Sequence, residues 1–259
     1  MGHIRVGRLP KTKKWTQVIE AIKADEKHLS RIANATIEAT GRDISNLSNE
    51  PSVYYPFFIL SQIISKVDSD NFVEELSELG ISSQEITSTL EFINQTSEFV
   101  HKEIRKNGNP KELISEIALK SFTEALTRVS IGETQSIFGS SIEDVRKTIS
   151  KYKSPEGFAE LARIYFSSFL NRYLQYYLSK EASNLISPKN GFQNIGHLNS
   201  FDESIKTYSF QSAKIIEDFA GGWFSKKKWL GELNEKEIKS FLYIAFKKLK
   251  AELDLEVSN

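Results

Sequence analysis

The chain has 259 residues, with 34 Lys plus Arg against 34 Asp plus Glu. A formal net charge of zero excludes a uniformly basic coat protein and an acidic solvating chain. The 39% hydrophobic content, with 17 Phe and 9 Tyr, supports a sizeable core. The absence of Cys removes disulfides, thiolate nucleophiles and Cys-based metal centres.

Helical periodicity starts at Trp15, Val18, Ile19 and Ile22, spaced i, i+3, i+4, i+7. Leu29, Ile32, Ala33 and Ile37 form the next stripe, with Gly41 placed to close it. A polar connector over 42–50 leads to a third helix, from Pro51 or Ser52 to about residue 67. Pro56 lies inside that helix, either in its first turn or at a kink. Phe72, Leu76 and Leu79 mark a short helix closed by Gly80. Ile86, Leu90, Ile93 and Val100 mark another, starting near Ser82 or Ser83. Asn107-Gly108-Asn109-Pro110 reads as a turn, with Pro110 opening a helix that carries Leu113, Ile117, Leu126 and Val129.

Ser141 and Asp144 have the spacing of a capping box, and Ser154-Pro155-Glu156 offers a cap with a first-turn Pro. The helix predicted over 155–184 is the longest and most aromatic. Phe158, Tyr165, Phe169 and Tyr173 lie on one face and Phe166, Leu170 and Leu174 on the next, so neighbours are expected on several sides. Residues 185–200 read as a long loop containing Pro188, Gly191 and Gly196. Helices are expected over about 201–220 and 234–255, the first ended by Gly221-Gly222 and the second capped by Asn234 with Glu237. No alternating strand series is present. The expected fold is therefore all-α, a multi-helix bundle or irregular array of about nine to eleven helices. It comprises a basic arm over 1–14 and one helical domain over 15–259, within which 201–259 is a candidate subdomain.

Chemistry-bearing motifs are few. No phosphate-binding glycine loop or nucleophile elbow is present. Glu98 with His101 is a Glu-x-x-His pair and Asp25 with His28 its Asp counterpart, but Glu98 falls off the apolar stripe, so a metal site is not expected. No Arg-then-His pairing of the kind used by small helical RNases occurs. The sequence thus assigns no catalytic residue, metal or cofactor. No long apolar run follows the basic N-terminal stretch, and 53–67 is too short and too interrupted by Ser and Gln to span a bilayer. A soluble, cytoplasmic protein is the expectation.

The charge distribution is more informative. Residues 1–14 carry Arg5, Arg8, Lys11, Lys13 and Lys14 with no acid. Residues 68–133 hold thirteen acids against six bases, whereas 221–250 hold eight Lys against three Glu. In the second basic region, Trp223, Phe224, Lys226, Lys227, Lys228 and Trp229 interleave aromatics with lysines in a presumed loop. Such a segment suits a protein hot spot, base stacking with phosphate neutralisation, or a turn whose aromatics are packed inward. The leading expectation is a non-catalytic helical adapter or scaffold subunit of a larger intracellular assembly, bound to a protein partner or to itself through these surfaces. The alternative is a nucleic-acid-binding accessory protein using the basic arm and the Trp/Lys segment.

Overall fold

The computed structural model describes residues 12–24, 28–41, 43–82, 86–106, 112–131, 141–182, 185–186 and 192–258. Eleven α-helices follow one another in these segments: α1 (Lys13–Ala24), α2 (Leu29–Ala39), α3 (Pro51–Lys66), α4 (Phe72–Glu78), α5 (Thr89–Lys106), α6 (Glu112–Ser130), α7 (Ile142–Ile149), α8 (Pro155–Ala182), α9 (Ile195–Ser212), α10 (Lys214–Trp229) and α11 (Glu235–Ser258). Two 3-10 turns, Ile44–Asn49 and Ser150–Lys153, connect them. Among the described residues there is no β-sheet, only an isolated bridge between Ile186 and Phe192. The all-α expectation holds.

Local chemistry explains most boundaries. Gly41, Gly80 and Gly231 all have positive φ, the conformation that closes a helix at little cost only in Gly. At Gly80 the backbone N–H of Ile81 donates back to the Leu76 carbonyl, and Glu232 donates in the same way to Lys227 beside Gly231. The capping box at α7 is reciprocal: Asp144 N–H donates to Ser141 Oγ at 3.2 Å, and Ser141 N–H donates to Asp144 Oδ2 at 2.9 Å. Hydrogen bonds from the Ser141 side chain and backbone hold the Asp144 carboxyl below its ordinary range. Ser154 Oγ accepts from Gly157 N–H at 3.0 Å, and Asn234 Oδ1 accepts from Glu237 N–H at 3.2 Å.

Other boundaries differ from the sequence reading. The α5 helix starts at Thr89, with Ser88 Oγ accepting from Glu91 N–H, not at Ser82 or Ser83. Pro56 is buried in the second turn of α3. The turn at 107–110, including Pro110, lies outside the described residues. The expected 185–200 loop yields its last third to α9, which Asn194 caps by accepting from His197 N–H at 2.9 Å. The single helix expected over 201–220 is two, broken at Ala213.

The α8 helix is the axis. Every residue from Ile164 to Leu170 is buried, so no face of this stretch meets water. It packs against α2, α6, α9, α10 and the 150–153 turn. Phe57 of α3 centres an aromatic cluster with Phe158, Tyr165, Phe166 and Phe241. Tyr165 Oη is fully buried and donates to the Val53 carbonyl at 3.3 Å; burial alone raises its hydroxyl far above the ordinary range. One cluster of buried apolar side chains takes members from all eleven helices, from Trp15 to Leu253.

Candidate functional site

The Trp/Lys segment is helix, not loop. The α10 helix runs through Gly221-Gly222 without a break and ends only at Gly231. The reason lies in packing rather than local preference. A Cβ at Gly221 would sit 2.2 Å from the Pro155 carbonyl oxygen and 2.7 Å from its carbon, so α10 crosses the first turn of α8 backbone against backbone. At Gly222 a Cβ would meet nothing within 4 Å. Gly157, the third residue of α8, is pressed in turn against Lys151 and Tyr152, where a Cβ would come 2.2 Å from the Lys151 carbonyl oxygen.

That crossing sorts the predicted site residues. Phe224 is fully buried, its ring stacked on Phe158 with centroids 3.8 Å apart. It is removed from any docking surface. Trp223 is half-buried, 4.4 Å from the Phe241 ring centroid. Lys227 is spoken for: its Nζ lies 2.8 Å from Glu232 and 2.8 Å from Glu237. Hydrogen bonds to Glu232 and then Glu237 raise its pKa. Lys226 is exposed and Lys228 half-buried, and neither has an ion-pair partner among the described residues. Trp229 is 85% exposed at the helix end, with Leu230 exposed beside it.

The N-terminal candidates divide similarly. Arg5, Arg8 and Lys11 lie outside the described residues. Lys13 and Lys14 are not part of a separate arm but the first residues of α1. Both are exposed, and Lys14 Nζ donates to the Glu38 carbonyl at 3.3 Å, near the negative end of α2.

Several surface residues escaped the sequence reading. Tyr243 and Ile244 are exposed on the outer face of α11. With Lys236, Lys239 and Ser240 they form one wall of an open groove of about 850 Å³, whose other wall is Ser48 and Asn49 of the 44–49 turn. Lys239 Nζ stands 3.9 Å from the Tyr54 ring centroid on this side. The available signal was that residues 243 and 244 are apolar yet fall outside the buried stripe of Ile238, Phe241, Leu242, Ala245 and Leu249.

The α10–α11 hairpin is held on α3 by Gln62, whose Nε2 donates to the Leu233 carbonyl at 2.5 Å. Tyr55, one face over on α3, is half-buried. Burial, followed by the charges of Glu103 on α5 and Glu235 on α11, pushes its hydroxyl up to about 12. On the opposite side, Arg163 fixes α10 to α8. It donates to Glu217 at 2.8 Å and to the Phe210 carbonyl at 3.0 Å, and its guanidinium stacks 3.9 Å from the Phe210 ring centroid.

Among the described residues no three His, Asp or Glu side chains gather into a metal-binding group, and Glu98 is ion-paired with Lys102 at 2.9 Å. No described helix is long and apolar enough to cross a membrane. No protein-family model, no curated protein and no solved structure matches this chain.

Proposed function

We propose that this chain is a non-catalytic helical adapter subunit of a larger protein assembly in the cytoplasm, and that the α10–α11 hairpin is its docking element. The observation that carries this reading is Trp229, a large aromatic left 85% exposed at a helix end beside Lys226 and Lys228, which form no direct ion pair among the described residues. Burying so much indole surface supplies a large share of a binding free energy, and Trp is the residue type most enriched at interface hot spots. Unpaired lysines around it add steering and register toward an acidic partner surface. Affinity purification of the full chain, with mass spectrometry and any nucleic acid retained, tests it. A stoichiometric protein species that is lost on Trp229→Ala supports the proposal. A strictly monomeric chain with no stoichiometric partner overturns it.

A second reading, nucleic-acid binding, rests on the unpaired Lys226, Lys228, Lys236 and Lys247 near exposed Trp229 and Tyr243. It is weakened by the commitment of Lys227 to two glutamates and of Phe224 to the core. It predicts salt-dependent binding whose slope falls on charge reversal of Lys226, Lys228 and Lys236. Unchanged binding by that variant rejects it.

A further inference from the structure

The two charge zones of the sequence are consumed unequally by folding. Six carboxylates of the acidic zone are ion-paired: Asp68 with Lys153 at 2.6 Å, Glu75 with Lys66, Glu98 with Lys102, Glu103 with Lys106 at 2.6 Å, Glu116 with Lys120 at 2.5 Å and Glu124 with Arg172 at 2.7 Å. What remains is concentrated at α4, where Asp70, Glu74 and Glu78 are exposed with no cation partner among the described residues. In the basic zone all three glutamates are taken up, by Lys227 and Lys239. Lys226, Lys228, Lys236, Lys247 and Lys248 are left without an ion pair among the described residues, the first two in the same helical turn as Trp229.

These two leftovers lie at the same end of the molecule. Gln62 of α3 holds the hairpin turn through Leu233, and Lys66, one helical turn further on, holds α4 through Glu75. The anchor points are about 6 Å apart along one helix axis. Beside α4 runs a groove of about 610 Å³ between Gly80 and α5. Phe99 lies half-buried on its wall, flanked by the ion pairs Glu98–Lys102 and Glu103–Lys106, and Gln95 on its lining keeps a buried Oε1 with no hydrogen-bond partner. An indole fits that lining: an apolar ring to lie on Phe99, and an N–H donor that the Gln95 amide can meet by turning its Oε1 toward the groove.

Resting on the docking reading above, we infer that the partner is a second copy of this chain. Trp229 of each copy enters the α4–α5 groove of the other, with Lys226 and Lys228 facing Glu74 and Glu78. A basic and an acidic patch side by side on one end are self-complementary under a two-fold axis. Each copy then meets the other's opposite charge twice, and the contact closes as a dimer rather than growing into a filament. The net charge of zero removes the global repulsion that would oppose it.

Sedimentation velocity on the full chain, at low and high salt and over a wide concentration range, tests the dimer. A dimer at low salt is expected, weakened by salt, with its dissociation constant raised tenfold or more, about the loss of one hot-spot residue, by Trp229→Ala. The double variants Lys226→Glu/Lys228→Glu and Glu74→Lys/Glu78→Lys should each be monomeric and should form a one-to-one heterodimer when mixed. Glu74, Glu78 and Lys226 are exposed and Lys228 is half-buried, and rescue on mixing shows that both variants are folded. A chain monomeric under every condition overturns the inference, as does a dimer indifferent to Trp229→Ala and to the charge swap. A photo-crosslinking residue at position 230, exposed beside the retained Trp229, distinguishes a second copy from another partner. Adducts mapping to α4 or α5 of a second copy support the dimer. Adducts to a different protein alone overturn it while sparing the docking reading. No protein adduct at all overturns both.

Discussion

The two halves of α10 differ sharply although aromatic side chains occur in both. From Ile216 to Phe224 the helix is sunk into the molecule: Gly221 touches the α8 backbone, Phe224 stacks on Phe158 and Glu217 is bridged by Arg163. From Ser225 to Trp229 it rises clear of the core, and its last residue is the most exposed large apolar side chain described. An aromatic residue is thus read by its register against a neighbouring helix. Phe224 and Trp229 are five residues apart, and on a helix of 3.6 residues per turn that spacing rotates a side chain well away from the buried face.

Substitutions should respect that division. Phe224→Ala removes a fully buried ring from the aromatic cluster and should cost about 3–5 kcal/mol in denaturant unfolding. Gly221→Ala places a methyl inside the Pro155 carbonyl and should cost about 3 kcal/mol, the upper part of the usual overpacking range. A loss below about half a kcal/mol would refute the close crossing.

Glu217 tests the same boundary through pH. Burial pushes its carboxyl up, but hydrogen bonds from Lys214 and Arg163 more than offset this and leave it below its ordinary value. The charged form is therefore favoured by folding, and the resulting stability is present above the unfolded value of 4.5 and lost as pH falls through the lower folded value. Thermal melts should show a flatter acid limb for Glu217→Gln than for the wild type.

The smallest expected effects come from the outward positions. Gly222→Ala meets open space inside a helix and should stabilise by about 0.5–1 kcal/mol, opposite in sign to its neighbour. Trp229→Ala should leave the melting temperature essentially where it is, within about 0.5 kcal/mol of stability, while weakening partner binding about tenfold or more. A large loss of stability there would mean that the indole serves the fold rather than a surface.

What the sequence disclosed divides along the same line. The caps at Ser141, Ser154 and Asn234, the closing glycines 41 and 80 and the aromatic axis of α8 were legible because each is decided within a few residues or by a long periodic stripe. The start of α9 was missed because Pro188, Gly191 and Gly196 outweighed the one Asn cap at 194. The end of α10 was misplaced by nine residues because a glycine pair after a helical run normally terminates it. Here one of the pair is required by a helix more than sixty residues away, a contact that no local rule contains. The form of the Trp/Lys segment was misread: a loop was expected where α10 continues as helix, burying Phe224 and leaving Trp229 exposed.

The glycine contacts also set how the hairpin is aimed. Gly157 rests on the 150–153 turn and Gly221 on Pro155, so three chain segments meet through backbone atoms with almost no side chain between them. Side chains can change rotamer and absorb a disturbance; peptide planes in direct contact cannot. Residue 221 is therefore a fulcrum, and the eight residues to Trp229 are a lever arm of about 12 Å. The direction of that arm is fixed by main chain, so drift in the surrounding aromatic side chains can alter stability without re-aiming the tip.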